Sequence, residues 1–176
     1  KVYTDGVITA KQLTIADPTI TKSKEYDKTL TANVTAGTLS GVVTVGSATD
    51  AVTASAVGTY STSTVGTSKT ITVVYTLAGA DKDNYIKPLD KVYTDGVITA
   101  RQLTIADPEI TKIKEYDKTA TANVIVGTLS NVVKVGSVLD AVTASAEGTY
   151  STSIAGTSKA ITVVYTLAGA DKDNYI

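Results

Sequence analysis

The sequence predicts an all-β fold built as two tandem copies of one small antiparallel module. Three observations carry that prediction: an internal repeat, a strand-forming composition, and two-residue alternation in the clearest segments. Residues 1–86 realign on residues 91–176 without a gap, and 14 positions differ. Lys1-Val2-Tyr3-Thr4-Asp5-Gly6 returns as Lys91-Val92-Tyr93-Thr94-Asp95-Gly96. Copies this similar imply that each builds its own core or shares one with its neighbour, and modules of this length lie near the lower limit of independent stability. Thr, Val, Ile and Tyr dominate, punctuated by Gly, Asn and Asp, a composition suited to strands and turns.

The elements follow in order. Residues 7–15 are expected as a strand, with Leu13 and Ile15 on one face and Gln12 and Thr14 on the other. Residues 20–26 carry Lys22 and Lys24, charges that suit a sheet edge. Shorter runs at 31–34 and 42–45 are separated by a glycine-containing segment, and 51–56 alternates Val52, Ala54 and Ala56 with Thr53 and Ser55. The clearest strand is 70–77, where Ile71, Val73, Tyr75 and Leu77 oppose Thr70, Thr72 and Thr76; its copy is 160–167. Turn chemistry falls between these runs, at Asp17-Pro18, Gly37, Gly41, Gly46, Gly58, Gly66 and Gly79. No stretch has helical periodicity with caps. Six or seven short strands at this spacing predict a β-sandwich of immunoglobulin-like architecture in each copy, the two arranged end to end.

The module boundary has two phases. One gives modules 1–90 and 91–176, broken at Lys87-Pro88-Leu89-Asp90, where Pro88 cannot donate a hydrogen bond. The other makes 1–16 the closing strand of a preceding module and 17–106 the first module. Residues 107–176 are then a second module without its last strand, with Asp107-Pro108 at the joint. In that phase residues 7–15 are expected to hang free or to dock on another molecule's open edge.

Absences bound the chemistry. There is no Cys, His, Met, Trp or Phe, and Arg101 is the one arginine. Disulfides, thiolate metal sites and thiol nucleophiles are therefore excluded. A net charge of −1 lacks the basic field that nucleic-acid binding needs. No apolar run approaches the ~20 residues of a membrane span, so no membrane insertion is expected. No leader segment is visible, and the chain reads as a piece excised from a longer one. Val57 is Glu147 in the second copy, which marks a solvated position.

Four site hypotheses arise. Catalysis lacks a base: there is no His, and Ser68 and Lys69, adjacent on a strand, face opposite ways, so no enzyme is expected. Calcium could use the hard oxygens of Asp81, Asp83 and Asn84, repeated at Asp171, Asp173 and Asn174, with Asp5, Asp90 and Asp95 nearby. Lys82 opposes a cation there, and the favoured reading is that these side chains cap a turn. A Lys–Asn isopeptide cross-link could join Lys69 to Asn33 beside Asp27 or Glu25, and Lys159 to Asn123 beside Asp117 or Glu115. The favoured alternative is a solvated amine at a strand end. Tyr60 and Tyr85 could stack on a glycan, but inward rings with edge-bonded hydroxyls are favoured. No cofactor is expected.

Four phrases occur in order in the first copy and return in the second with Asn131 for Gly41, Ala155 for Val65 and Ala160 for Thr70. They are Lys24-Glu25-Tyr26-Asp27-Lys28-Thr29, Gly37-Thr38-Leu39-Ser40-Gly41-Val42-Val43, Val65-Gly66-Thr67-Ser68-Lys69-Thr70-Ile71-Thr72-Val73 and Leu77-Ala78-Gly79-Ala80-Asp81-Lys82-Asp83-Asn84-Tyr85. Over roughly 24–86 and 114–176 the chain resembles the YDG-type repeat domain of large bacterial surface adhesins and haemagglutinin-like exoproteins. The resemblance implies an extracellular stalk at the bacterial cell surface and transfers no catalytic residue. In that family the closing strand follows the Asn-Tyr motif, which favours the second phase. The name motif departs from the pattern, reading Tyr26-Asp27-Lys28 where Tyr-Asp-Gly is usual, and this argues against a turn of positive φ there. The expected function is a structural spacer that projects a distal binding region; the alternative is an adhesin module that binds host glycan or protein. Expected partners are neighbouring repeats and an unspecified host ligand. The chain itself is expected to be monomeric, with edge-strand exchange between molecules open to such similar copies.

Overall fold

A computed structural model describes residues 1–176 and is all-β, apart from two short 3-10 turns at Lys82–Asn84 and Lys172–Asn174. Two compact units are present. Unit 1 comprises Lys1–Glu25 and Thr29–Thr99; unit 2 comprises Tyr26–Lys28 and Ala100–Ile176.

In unit 1 one six-stranded sheet runs in the order Thr19–Thr21, Thr31–Thr35, Thr53–Tyr60, Gly66–Ala78, Lys91–Thr99, Ser23–Glu25. Its first and last strands are separated in sequence by Lys22 alone, so the sheet nearly closes on itself. The immunoglobulin-like expectation was of strands divided between two facing sheets, whereas the sheet here is nearly closed and barrel-like. The cause is Lys91–Thr99, which lies antiparallel to Gly66–Ala78 and parallel to Ser23–Glu25. Lys22, expected at an edge, sits at the split between the two terminal strands. Its backbone carbonyl accepts Val97 N–H at 2.8 Å, and its amine lies 2.8 Å from Asp95. Alternation along Gly66–Ala78 sends Ile71, Val73 and Tyr75 into a core shared with Ala32, Tyr60 and Ile98, the packing that drives the fold.

Residues 7–15 differ from expectation. Residues 1–10 form no strand, while Lys11–Gln12 pairs parallel with Tyr85–Ile86 and Thr14–Ile15 pairs antiparallel with Leu39–Ser40. Residues 11–15 therefore neither hang free nor dock on another molecule. Leu13, between the two short strands, is fully buried, and the Gln12 side-chain amide donates to the Lys87 carbonyl at 2.7 Å. Apolar burial and a satisfied backbone hold this segment in unit 1.

Unit 2 repeats the pattern with fewer partners. Thr121–Ala122, Thr143–Tyr150 and Ile161–Ala168 form a three-stranded sheet in which Ile161–Ala168 is paired on one side alone. Tyr75 is 1% exposed, yet its copy Tyr165 is 40% exposed. The local sequence is the same; what differs is the strand that covers Gly66–Ala78 in unit 1.

The turn in the Tyr-Asp-Lys motif also corrects the expectation. Lys28 has φ 64° and Lys118 has φ 66°, so both copies take the left-handed turn without glycine. In the second copy the Asp117 carboxylate accepts Thr119 N–H at 2.8 Å, the Thr119 hydroxyl at 2.9 Å and the Lys114 amine at 2.9 Å. These bonds across the turn hold Lys118 in a conformation that lysine rarely takes. They also hold the Asp117 carboxyl down at about 2, Lys114 contributing most.

Candidate functional site

The most concentrated polar chemistry lies in unit 2, around Asp140. The hairpin of Lys134–Val135 and Val138–Leu139 turns the chain back so that Asp140 N–H donates to the Val133 carbonyl at 3.0 Å. The 3-10 turn Lys172–Asn174 then presents Tyr175, whose hydroxyl accepts Val133 N–H at 2.9 Å. The left-handed turn at Lys28 brings its amine to the carboxylate that Tyr26 also reaches. Asp140 Oδ2 accepts from the Tyr26 hydroxyl at 2.8 Å and the Tyr175 hydroxyl at 2.6 Å, and Oδ1 accepts from Lys28 Nζ at 2.5 Å. The two tyrosine rings meet edge to face with centroids 5.5 Å apart. Asp140 is 3% exposed.

Charge is settled by competition. Burial pushes the Asp140 carboxyl up, but the Lys28, Tyr175 and Tyr26 donors outweigh it and hold the group below its ordinary value. Burial, then the Asp140 hydrogen bond, pushes Tyr175 up to about 12 and Tyr26 higher still. At neutral pH the cluster is one carboxylate held by two phenols and an ammonium. Its carboxylate accepts three side-chain hydrogen bonds, and the cluster holds no free nucleophile.

A pH dependence follows. A carboxyl with a depressed folded-state pKa contributes stability above its unfolded value, and loses it as pH falls through the folded one. The urea midpoint of unit 2, followed by hydrogen exchange of the Thr143–Tyr150 amides, is therefore expected to be flat near neutrality and to fall below about pH 4. Asp140→Asn should reduce that acid-dependent component. A midpoint with the same acid dependence in Asp140→Asn would assign it elsewhere.

Unit 1 holds the counterpart in simpler form. The Tyr85 hydroxyl donates to Asp50 Oδ2 at 2.6 Å and accepts Val43 N–H at 2.9 Å. Asp50 receives no second phenol and no amine, and it is half-buried.

The candidates from the sequence are placed as follows. Asp81 and Asp171 each accept a backbone N–H at 2.8 Å, from Ala51 and Ala141 respectively. Asp83 pairs with Lys82 at 2.5 Å and Asp173 with Lys172 at 2.7 Å, while Asn174 is buried and its carbonyl accepts Arg101 N–H. Asn84 closes the 3-10 turn through its N–H to the Asp81 carbonyl. Asp90 pairs with Lys87 and accepts Tyr75 N–H, and Asp95 pairs with Lys22. Asp5 is exposed. These oxygens serve turns and ion pairs, and the structure brings no three carboxylates together.

The cross-link sets are not assembled. Lys69 Nζ donates to the Thr62 hydroxyl at 2.6 Å and Lys159 Nζ to Thr152 at 2.5 Å. Asn33 is exposed on Thr31–Thr35, which the Thr53–Tyr60 strand separates from the strand of Lys69. Asn123 is exposed and reaches Thr111 at 3.5 Å. Glu25 ends the terminal strand Ser23–Glu25, and Glu115 is exposed. The Tyr60 and Tyr85 rings are buried, so neither offers a stacking face; the Tyr85 hydroxyl is hydrogen-bonded as the inward reading expects, whereas the Tyr60 hydroxyl is itself buried and not at an edge.

Sequence reasoning missed Asp140. The available signal was the return of one Asp and one Tyr at matched places, Asp50 with Tyr85 and Asp140 with Tyr175. Tyr26 lies 114 residues from Asp140, beyond any local pattern.

The family model of the YDG domain matches residues 9–93 and 99–176. The chain belongs to the YDG domain family. No curated protein and no solved structure matches it. In this YDG chain the motif has a physical role: the Tyr and Lys of Tyr26-Asp27-Lys28 are two of the three side chains that hold Asp140, the third being Tyr175.

Proposed function

We propose that this YDG chain is a structural spacer, a stalk repeat of a bacterial cell-surface adhesin that works outside the cell and holds a distal binding region away from the surface. The observation that carries the reading is the Asp140 cluster. Its carboxylate is buried and held by three side chains 35 to 114 residues away, so it ties distant parts of the chain and is closed to a ligand. Elsewhere the polar groups serve the fold: Asp81 and Asp171 bind backbone, and the Lys69 amine binds Thr62. No catalysis belongs to this reading, because Ser68 is exposed and no base accompanies it.

A spacer must have length and must not stick. Small-angle scattering of monomeric chain is expected to give a maximum dimension of ~70–90 Å, from two modules of ~35–45 Å at ~3.3 Å per strand residue. A glycan array probed with the same material is expected to stay blank. A saturable hit, abolished by unfolding, would favour a ligand-binding adhesin module instead.

A further inference from the structure

Five asparagines occur in this chain, and one of them, Asn33, opens the tripeptide Asn33-Val34-Thr35. The others have Ile86, Ile125, Val133 or Ile176 two residues on. An Asn followed at the second position by Thr, with no Pro between them, is the acceptor pattern for an N-linked sugar. A tripeptide this short recurs by chance, so its place in the fold decides what it can do.

In unit 1 the fold presents this tripeptide to solvent. Asn33 and Thr35 lie on the strand Thr31–Thr35, whose alternation puts both on the exposed face, about 6.6 Å apart along the strand. Val34 between them turns inward and seats over Gly58, where a Cβ would lie 2.4 Å from Val34 Cγ2. The strand leaves one neighbour at the same point: Thr31 and Ala32 pair with Thr59 and Gly58, and the pairing stops before Asn33. On its other side Asn33 faces Thr21 and Thr35 faces Thr19, both exposed and short. The Asn33 amide therefore stands among small hydroxyl side chains, on backbone anchored by an inward valine.

The second copy supplies a comparison inside the same molecule. Asn123-Val124-Ile125 keeps the asparagine and the valine, and Val124 Cγ2 sits over Gly148 at the same 2.4 Å from where a Cβ would lie. Asn123 and Ile125 are exposed, as Asn33 and Thr35 are. Ile125 has no hydroxyl, and Asn123 Nδ2 donates to the Thr111 hydroxyl at 3.5 Å. Exposure and backbone setting match in the two copies; the third residue differs.

We propose that Asn33 is the acceptor of an N-linked sugar and that Asn123 is not. In the transfer, Asn33 Nδ2 bonds to the anomeric carbon of a sugar activated as a glycosyl pyrophosphate. The anomeric C–O bond breaks, the pyrophosphate group leaves with its electron pair, and the amide proton passes to a base on the transferase. The Thr35 hydroxyl is the feature that the transferase reads beside the amide, and Ile125 withholds it in the second copy. A sugar at Asn33 enlarges the exposed face of unit 1 and leaves the core of Ile71, Val73 and Tyr75 untouched. The acceptor site does not depend on the spacer reading: either can fail alone, since mass reads one and scattering the other.

Co-expression of the full chain with a transferase directed to Asn-x-Thr provides the test, in two arms that separate the sources of the sugar. One arm uses a soluble enzyme with a nucleotide-linked hexose, the other a membrane-bound enzyme with a lipid-linked oligosaccharide. Intact mass is expected to show a single added glycan in at least one arm, and peptide mapping to place it on Asn33. Asn33→Gln and Thr35→Ile, both at exposed positions, are expected to gain nothing and to keep the wild-type circular dichroism spectrum. Ile125→Thr restores the pattern in the second copy and is expected to gain a further glycan at Asn123. A wild-type chain left unmodified in both arms overturns the proposal, as does a glycan on Asn123 of the wild type or one retained by Thr35→Ile. An Ile125→Thr chain that gains nothing at Asn123 overturns the role given to the threonine hydroxyl.

Discussion

Gly79→Ala is expected to unfold the long hairpin of unit 1 at concentrations of urea that leave the wild type folded. Gly79 ends the Gly66–Ala78 strand at φ +112°, outside the region an L-residue occupies comfortably. A Cβ there would lie 1.9 Å from the Ala51 carbonyl oxygen, which already accepts Asp81 N–H. Neither atom can yield cheaply, since both belong to backbone that fixes the turn before Lys82–Asn84. Backbone strain and steric overlap together should cost about 3 kcal/mol or more. Gly46→Ala supplies the control: φ is +63° but nothing lies within 4 Å, so only the left-handed penalty of about 1 kcal/mol applies. Hydrogen exchange of the Thr53–Tyr60 and Gly66–Ala78 amides reads both variants. Equal effects from the two would mean that the Ala51 contact is not what requires glycine.

The contrast between residues 70–77 and residues 1–9 shows what the sequence could and could not convey. Ile71, Val73, Tyr75 and Leu77 alternate with threonine, so a strand with one buried face is legible from local pattern alone. Residues 7–9 resemble a strand just as well, but they form none, while residues 97–99 with the same sequence do. Strand formation at that segment depends on an adjacent edge, a tertiary fact with no local signature. The near closure of the sheet was hidden for the same reason. It depends on the split at Lys22, which sends two consecutive three-residue strands to opposite ends of the order.

The turn at Tyr26-Asp27-Lys28 shows propensity overridden. Lysine at the glycine position argues against positive φ, yet Lys28 and Lys118 both adopt it. Lys118 does so without a carboxylate such as Asp140 to draw its amine, so the Asp117 hydrogen bonds across the turn are sufficient. The Asp of the motif therefore makes the turn, and its two neighbours are left free to make the long-range contact. The inward packing of Tyr60 and Tyr85 was legible, because an aromatic residue in a small β-module is needed for the core. Asp140 was not legible, because a lone Asp after a hairpin looks like any solvated turn residue.

Asp140→Ala should be the most damaging single change in unit 2 outside the glycine turns. It removes the acceptor of two buried phenols and the counterion of Lys28, leaving Tyr26 and Tyr175 hydroxyls without a carboxylate in a closed site. Leaving a buried donor without its acceptor costs about 1–3 kcal/mol each, and two buried phenols are left here, whereas the Lys28 amine can turn to solvent. Asp50→Ala in unit 1 removes a half-buried carboxylate with a single phenol, so its effect should be clearly smaller, although position and local sequence match. That pairing makes the comparison sharp: the two substitutions differ in the partners lost. Tyr26→Phe should recover part of the Asp140→Ala loss when the two are combined, since the phenol orphaned by the first change is absent in the second. Equal destabilisation by Asp50→Ala and Asp140→Ala, followed by exchange of the Thr53–Tyr60 and Thr143–Tyr150 amides, would show that Tyr26 and Lys28 add nothing to the hold on Asp140. The motif would then be a turn and no more; a large difference makes it the clasp by which one repeat's Tyr-Asp-Lys secures the Asp–Tyr pair of another.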